Sequence, residues 1–372
     1  MKVLVLGGAG AMGSRAVRDL AEQPDVEKLC IGDYNVEVAQ TLADDIGGTK
    51  VAVLQVDAND HSALVSAMGA SDIVASALGP FYRYEAKCVA AAIEAQRHYV
   101  SICDDYDAAQ AAMELGPKAA DAGITVLTGV GWTPGVSNVL ARKAADQLDT
   151  VQEINVAWGS SASDSDGYAV ILHTLHIFSG TVPSFQHGEL VQVAAGSGKQ
   201  RVTFPPPLGT CNVFHLGHPE PVTVPLVFPG VETVTLKGGL TEDYLNTLAI
   251  LLNRLRLSST HRMRSAIGSL LKPVLPLLAR IGGHAHPCSA VRVDVRGTKN
   301  GTQEDLTYGA AEHMDILTGV PLAIGALMLG RGEVTERGVL APEACLQPDR
   351  FLDELAKRSI AIYEGEDLTA RV

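Results

Sequence analysis

Cysteine is scarce in this chain of 372 residues, and it shows no paired spacing. The six cysteines are scattered and contain no C-x-x-C pair, which is the pattern of neither a disulfide framework nor a zinc ribbon. Long apolar runs are also missing, since no stretch is apolar for the roughly 20 residues that a membrane-spanning helix needs. No charged segment with a cleavage site precedes the first strand-like run. We therefore expect no signal peptide and a cytoplasmic protein.

Basic residues are fewer than acidic residues in this chain. The formal net charge is −13, from 42 acidic and 29 basic side chains. This balance argues against nucleic acids and anionic membranes as partners. The segment SAIGSLLKPVLPLLARIG is strongly apolar, but Pro273 and Pro276 interrupt it. These prolines favour a core or dimer-interface helix over a helix that lies on a membrane surface.

The first third of the chain alternates between strand and helix patterns. Six short apolar runs, from KVLVLG to ITVLTGVG, are separated by segments with helical periodicity, which include helices expected over 85–95 and 108–122. Continuous apolar runs are typical of parallel strands that are buried on both faces. The pattern predicts an α/β fold, with a Rossmann-type doubly wound parallel sheet over residues 1–132.

After residue 132 the sequence pattern changes and predicts longer strands and hairpins. Two alternating runs flank Asn300-Gly301, a pair that favours a type I′ hairpin turn. We expect an α+β substrate and dimerisation domain over residues 133–310, with an antiparallel or mixed sheet. An apolar helix over 317–329 must be buried somewhere, so we expect residues 311–372 to return to the dinucleotide-binding domain.

The opening stretch MKVLVLGGAGAMG contains the spacing G-x-G-x-x-G at Gly8, Gly10 and Gly13. A strand precedes it, a helix from Ala11 follows, and Asp33 ends the second strand about twenty residues later. We expect Gly8 to permit the tight turn, Gly10 to admit a pyrophosphate, and Gly13 to let the helix pack closely. This context predicts a dinucleotide site rather than a glycine-rich turn that binds nothing.

Asp33 bears on the choice of cofactor. Its carboxylate can bind the adenosine ribose and repels a 2′-phosphate, and neither Tyr34 nor Asn35 is an arginine. This favours NAD, with NADP less favoured. Asp57 can either bond the adenine amine or cap the next helix. The other cofactor-binding candidates lie in the glycine loop and at strand ends: Ala11, Met12, Tyr34, Ala58, Ala77, Leu78, Gly79 and Pro80.

Carboxylates and phenols follow two further predicted strands. Asp104 and Asp105 come after the fifth strand, where a carboxylate can hold an ammonium group, stabilise an iminium ion or act as a base. Either aspartate can equally cap the helix that follows. Tyr82 and Tyr84 come after the fourth strand, and Trp132 after the sixth can stack on a ligand or pack at a domain interface.

His173 and His176 are candidate general bases, because histidine titrates near neutral pH. The histidine spacings complete no metal site, so we predict no metal. The predicted catalytic residues are Asp104, Tyr82 and His173, and the predicted substrate-binding residues are Asp105, Tyr84 and Trp132.

Three stretches resemble the saccharopine dehydrogenase-like family: GPFYRYEAKCVAAAIEAQRHYVSICDD, the junction GVGWTPGVSNVLA, and the C-terminal tail. The tail is most similar to the end of bacterial lysine 6-dehydrogenases. Where many members have the aspartate of YVD, this chain has Ser101, and its carboxylates follow later. The resemblance implies a Rossmann domain with an α/β substrate domain, usually dimeric, and NAD(P)-dependent oxidation of an amine carbon or the reverse reaction.

We therefore expect an NAD(P)-dependent oxidoreductase that acts on the CH–NH group of an amino acid or amine, similar to saccharopine or lysine dehydrogenases. Two alternatives stay open. One is opine- or carboxynorspermidine-type reductive condensation of an amine with a carbonyl compound. The other is a non-catalytic protein that senses NAD(H). The expected partners are a small amine or amino-acid substrate and a second copy of the chain in a homodimer.

Overall fold

The computed structural model describes residues 1–164, 167–274 and 288–371. The described strands, in chain order, are β1 Lys2–Leu6, β2 Lys28–Asp33, β3 Val51–Gln55, β4 Ile73–Ser76, β5 His98–Ser101, β6 Thr125–Leu127, β7 Thr150–Ser160, β8 Thr181–Gln186, β9 Glu189–Ala194, β10 Gln200–Thr203, β11 Thr210–His215, β12 Thr233–Leu240, β13 Ser289–Lys299, β14 Thr302–Glu312, β15 Gly338–Leu340, β16 Ile362–Glu364 and β17 Ala370–Arg371.

The described helices are α1 Ala11–Glu22, α2 Val36–Ile46, α3 His61–Gly69, α4 Phe81–Ala95, α5 Tyr106–Met113, α6 Gly116–Asp121, α7 Val136–Ala145, α8 Tyr168–Ile177, α9 Glu220–Thr223, α10 Asp243–Arg254, α11 His261–Leu271, α12 Met314–Gly330, α13 Pro342–Cys345 and α14 Pro348–Lys357. A single 3-10 turn, Val224–Leu226, follows α9. Among these helices, none is long and apolar enough to cross a membrane.

The chain folds into two compact units, each built from two separate stretches of sequence. The first unit comprises residues 1–136 and 315–346, and the second comprises residues 137–314 and 347–372. The chain therefore passes between the units three times.

A parallel sheet forms the middle of the first unit. Its strand order is β15-β6-β5-β4-β1-β2-β3, and neighbouring strands run parallel throughout. The predicted doubly wound sheet is thus confirmed, with β15 as a seventh strand that the sequence did not reveal. The order reverses between β1 and β4, which creates a crevice at the carboxyl ends of these strands.

Two helices of the first unit differ from the expected ones. We expected a helix from residue 85, but α4 begins at Phe81, directly after Pro80 at its N-cap. The single helix expected over 108–122 is divided into α5 and α6. Pro117 accounts for the break, because its ring and missing N–H do not allow a continuous helix.

The long apolar helix α12 packs within the first unit. A Cβ atom on Gly319 would lie 2.5 Å from the backbone oxygen of Met12, so only glycine permits this approach to α1. Arg15 and Asp315 form an ion pair at 2.8 Å beside this contact. The helix therefore covers the side of the sheet on which α1 lies.

The second unit is built on a mixed sheet of long strands. β7 pairs antiparallel with β13 on one side and parallel with β12 on the other. β13 and β14 form the expected hairpin, in which Asn300 and Gly301 have φ angles of 51° and 78°. Both values are positive, as a type I′ turn requires.

The final stretch of the chain joins the second unit, whereas we expected all of residues 311–372 to return to the first. β16 pairs with the edge of β14, which aligns Tyr308 with Glu364. Lys143 and Asp349 form an ion pair at 2.8 Å between α7 and α14. Pairing of an otherwise open strand edge gives the physical reason for this placement. The apolar segment 265–282 lies partly outside the described residues, and within it the side chain of Leu270 is 73% exposed.

Candidate functional site

The glycine loop joins β1 to α1 at the edge of the crevice. Gly7 has a φ angle of 65°, and its N–H donates to the Gly32 oxygen at 2.8 Å. Gly7 therefore makes the tight turn that we assigned to Gly8. Gly8 is buried instead, and a Cβ there would lie 3.0 Å from the Val5 oxygen. The GGAG run contained this signal, since either of its first two glycines could occupy the left-handed position.

Gly10 and Gly13 lie at the start of α1, where the helix meets the glycine loop. Gly10 is exposed and occupies the N-cap of α1, and the first turn of this helix carries no acidic side chain. A Cβ on Gly13 would lie 2.2 Å from the Gly7 oxygen, so glycine alone allows the helix to meet the loop. The first N–H groups of a helix have no partner within it and attract phosphate. The loop geometry therefore fits a dinucleotide, with Ala11 and Met12 in that first turn.

Asp33 ends β2 and holds the glycine loop in place. Its two carboxylate oxygens accept the N–H groups of Ala9 at 3.0 Å and Asn35 at 2.9 Å. Each oxygen keeps a further lone pair, so ribose hydroxyls can bind without displacing these contacts. Tyr34 beside it is 71% exposed.

Asp57 does not cap the helix that follows it, contrary to one of our two alternatives. Its side chain accepts the N–H of Asn59 at 2.8 Å, within the loop. Asp60 is the N-cap of α3 and accepts the N–H of Ala63 at 3.0 Å. The adenine-binding role of Asp57 and of its buried neighbour Ala58 stays a prediction.

The loop after β4, from Ala77 to Pro80, lies against the glycine loop. A Cβ on Gly7 would be 2.8 Å from the Ala77 oxygen, so the two loops meet directly. Leu78 and Gly79 are half-buried and Pro80 is buried. The predicted cofactor-binding residues at these two strand ends thus share one edge of the sheet.

Asp105 links the loop after β5 to the start of α4. It occupies the N-cap position of α5 but makes no side-chain capping bond there. Its carboxylate accepts the N–H of Tyr82 at 2.9 Å instead, and the residue is completely buried. Asp104 is half-buried beside it. Asp105 therefore fixes the backbone that carries Tyr82, while its predicted contact with substrate stays untested.

Tyr84 and Trp132 occupy different surroundings in the first unit. The Tyr84 ring lies beneath two cations, with the Arg83 guanidinium 5.1 Å and the Lys87 amine 5.5 Å from its centre. Trp132 is only 7% exposed in the loop after β6. Their predicted contacts with substrate likewise stay predictions.

Glu85 is a buried carboxyl group that sequence reasoning did not select. It is 1% exposed and accepts hydrogen bonds from Tyr99 at 2.8 Å, Ser101 at 2.5 Å and Thr128 at 3.2 Å. These partners lie on β5 and just beyond β6, so the carboxyl group joins α4 to the carboxyl edge of the sheet. Burial, with a smaller contribution from the Asp105 carboxylate, raises the pKa of Glu85 to about 7, although the hydrogen bonds from the three hydroxyl groups lower it.

The sequence did contain a signal for Glu85. Cys88, Val89 and Ala92 follow it at the i+3, i+4 and i+7 positions, and all three are buried. A lone acid in register with the apolar face of a helix is rarely buried without hydrogen-bonding partners. Because we expected the helix to begin at Glu85, we did not place this residue on its buried face.

His173 lies in α8 of the second unit, next to two buried polar groups. Its ring meets the His218 ring edge to face, with the centres 5.4 Å apart. His218 Nδ1 lies 3.8 Å from a Glu220 carboxylate oxygen, and Ser137 donates to the other oxygen at 3.0 Å. The sequence drew attention to His173 but gave no signal for Glu220, whose burial depends on distant elements.

Comparison with known proteins defines the family. The model described as saccharopine dehydrogenase NADP binding domain matches residues 3–127, and the model described as saccharopine dehydrogenase C-terminal domain matches residues 131–360. The chain belongs to the saccharopine dehydrogenase family. This confirms the family resemblance and the class of enzyme expected from it, a nicotinamide-dependent oxidoreductase that acts on amines.

Members of this family match the chain over nearly its whole length. It is 24% identical to carboxyaminopropylagmatine dehydrogenase from Synechocystis sp., over 98% of this chain and 97% of that protein. It is also 24% identical to carboxynorspermidine synthase from Vibrio cholerae, over 95% and 94%. Among solved structures, saccharopine dehydrogenase (L-Glu forming) from Saccharomyces cerevisiae matches with a TM-score of 0.68 and 19% identity, over 98% and 99% of the two chains. This last likeness concerns the fold alone.

Proposed function

We propose that this family member is an NAD-dependent dehydrogenase of a secondary amine that carries a carboxylate, or the corresponding reductive synthase. The observation that carries the proposal is the glycine loop held by Asp33, in a chain that aligns end to end with carboxyaminopropylagmatine dehydrogenase and carboxynorspermidine synthase. Both names describe an amine that bears a carboxylated group. Saccharopine and lysine are the next substrates to test.

The preference for NAD over NADP is inferred from Asp33. A 2′-phosphate would bring negative charge to a carboxylate whose two oxygens already accept N–H groups of the loop. Like charges at such short range repel each other. Tyr34 and Asn35, which follow, bring no positive charge to offset that repulsion.

The chain must bind the amine and control its charge. When bound, the nicotinamide ring accepts a hydride from the amine carbon or returns it. We assign Asp104 to the substrate nitrogen, where a carboxylate stabilises the positive charge that develops. Tyr82, which Asp105 holds in place, is assigned to orient the substrate, and His173 to accept the proton. The assignments of Asp104, Tyr82 and His173 to these roles are proposals from chemical type and position.

The test is a paired measurement of nucleotide binding and turnover. NADH and NADPH binding are followed by nucleotide fluorescence, and NAD reduction is followed with carboxyaminopropylagmatine, carboxynorspermidine, saccharopine and lysine. We expect tighter binding of NADH than of NADPH, and turnover with one of the first two amines. Turnover with lysine alone would contradict the substrate class. Nucleotide binding without turnover on any amine would instead favour an NAD(H) sensor.

A further inference from the structure

Glu85 is an ionisable group at the crevice to which the proposed reaction gives no role. In a sheet of this order, β4, β5 and β6 form the half that receives the second mononucleotide of a bound dinucleotide. The Glu85 carboxyl group is tied to β5 by Tyr99 and Ser101 and to the end of β6 by Thr128. It therefore lies under the part of the sheet where the nicotinamide end is expected.

The network continues to the loop that meets the glycine loop. The Tyr99 hydroxyl also bonds the Ser76 side chain at the end of β4. The Ser76 hydroxyl in turn accepts the N–H of Leu78 at 3.4 Å. Hydrogen bonds thus connect the Glu85 carboxyl group to the ends of all three strands β4, β5 and β6, so a change of its charge affects all three.

Within the described residues, the main electrostatic influences on the Glu85 carboxylate include no cation. The group that acts on it through charge is Asp105, another carboxylate. Tyr99 and Cys88 are ionisable neighbours whose own pKa values are raised by burial, and Glu85 adds to both shifts. Burial and then Glu85 and Asp105 likewise raise the pKa of Cys103. A cation that arrives in the crevice would therefore interact strongly with an ionised Glu85, because little water screens it.

The nicotinamide ring is such a cation in its oxidised form and is neutral in its reduced form. We propose that Glu85 makes the site discriminate between the two forms: its carboxylate favours NAD⁺, and its protonated form favours NADH. Binding of NAD⁺ then releases a proton from Glu85, because coupling between two bound ligands is reciprocal. This inference rests on the proposed function, since it needs a nicotinamide dinucleotide in the crevice.

The experiment compares affinities and needs no substrate. Dissociation constants for NADH are measured by fluorescence and those for NAD⁺ by displacement of NADH, from about pH 6 to about pH 9. The proteins are the wild type, Glu85→Gln, and the control Glu94→Gln, which removes an exposed carboxylate from the same helix. We expect the preference of the wild type and the control for NAD⁺ over NADH to rise by about fivefold or more across this range. In Glu85→Gln the preference for NAD⁺ over NADH should change less than about twofold across the range. It should stay near the value that the wild type has at about pH 6.

Calorimetry of the wild type provides a second measurement that does not depend on the variant's folding. NAD⁺ is titrated near neutral pH in two buffers with different heats of ionisation, which counts the protons released. A net release with NAD⁺ that exceeds the release with NADH supports the proposal. Equal release overturns it.

The outcomes separate the two proposals. Binding of both nucleotides with a preference that does not change with pH overturns the role of Glu85 and leaves the proposed function standing. Retention of the full pH dependence in Glu85→Gln assigns the proton to another group and also overturns it. Failure of the wild type to bind either nucleotide overturns the proposed function, and this inference with it.

Discussion

Replacing Glu85 with glutamine should change how the stability of the protein depends on pH. Glutamine has nearly the same shape, and the hydroxyl groups of Tyr99, Ser101 and Thr128 can rotate to donate to it or accept from it. The substitution therefore removes the ionisation while it keeps the hydrogen-bonding site. Because the side chain is only 1% exposed, solvent does not screen the effect.

The magnitude follows from the pKa of Glu85, which burial raises from 4.5 to about 7. Between these two values the folded protein holds a proton that the unfolded chain has lost, so stability falls as pH rises. A pKa difference of this size corresponds to about 3 kcal/mol in total, and most of it is lost between about pH 5 and pH 8. The wild type loses this stability as pH rises, and Glu85→Gln does not.

Urea unfolding of both proteins, followed by circular dichroism at several pH values, measures the difference. The free energies of unfolding of the wild type and the variant can differ by an amount that is the same at every pH, since glutamine can bond a little better or worse than the protonated acid. Such a constant offset does not test the prediction. The informative quantity is the change of that offset with pH. We expect the stability of Glu85→Gln relative to wild type to rise by about 2–3 kcal/mol from about pH 5 to pH 8.

An offset that stays the same across this range would refute the reasoning, because it would mean that Glu85 ionises equally easily in the folded and unfolded protein. Glu94→Gln serves as the control, since Glu94 is 61% exposed in its pairing with His61. Surface pairs of this kind contribute about 0–1 kcal/mol, so its offset should change little.

Three further variants test the cofactor and substrate assignments. Asp33→Asn should weaken NADH binding by about tenfold, since hydrogen bonds to a charged group are worth about 1.5–3 kcal/mol. It should also reduce the difference in affinity between NADH and NADPH. Equal losses of affinity for both nucleotides in a fluorescence titration would contradict the ribose assignment. Asp104→Asn should lower kcat by about 100-fold with little change in NADH affinity, and wild-type turnover would remove it from the site. Gly13→Ala should abolish measurable NADH binding, because its Cβ would lie 2.2 Å from a backbone oxygen. Gly69→Ala is its control, because the added Cβ would meet nothing within 4 Å, and it should leave NADH binding unchanged. A similar loss of binding in both variants would refute the argument.

Local patterns predicted the parallel sheet, the glycine loop and the Asn300-Gly301 turn, because each depends on residues that are neighbours in the sequence. The apolar strand runs carry their own signal of burial. The strands β15 and β16 were missed, since each has three residues and forms only when a distant partner offers an open edge. A strand of three residues is too short to show the alternation of apolar and polar residues that predicts a strand.

The site could be predicted only in part, for the same reason. Gly10, Gly13 and Asp33 fall on a known spacing, whereas the left-handed conformation at Gly7 depends on how the loop meets Ala77. The apolar face of α4 gave a signal that Glu85 is buried, but the three hydroxyl groups that bond it come from two other elements and could not be predicted. A single sequence does not specify which strand ends meet a helix.

The threefold passage of the chain between its units has a consequence for how the protein is made. Residues 315–346 supply α12 and β15 to the first unit, so the N-terminal 136 residues emerge from the ribosome without the helix that covers one side of their sheet. Domains usually fold as they are synthesised, the N-terminal one first. The first unit is therefore incomplete until residues 315–346 have also been translated, and until then the apolar surface under α12 is accessible to chaperones.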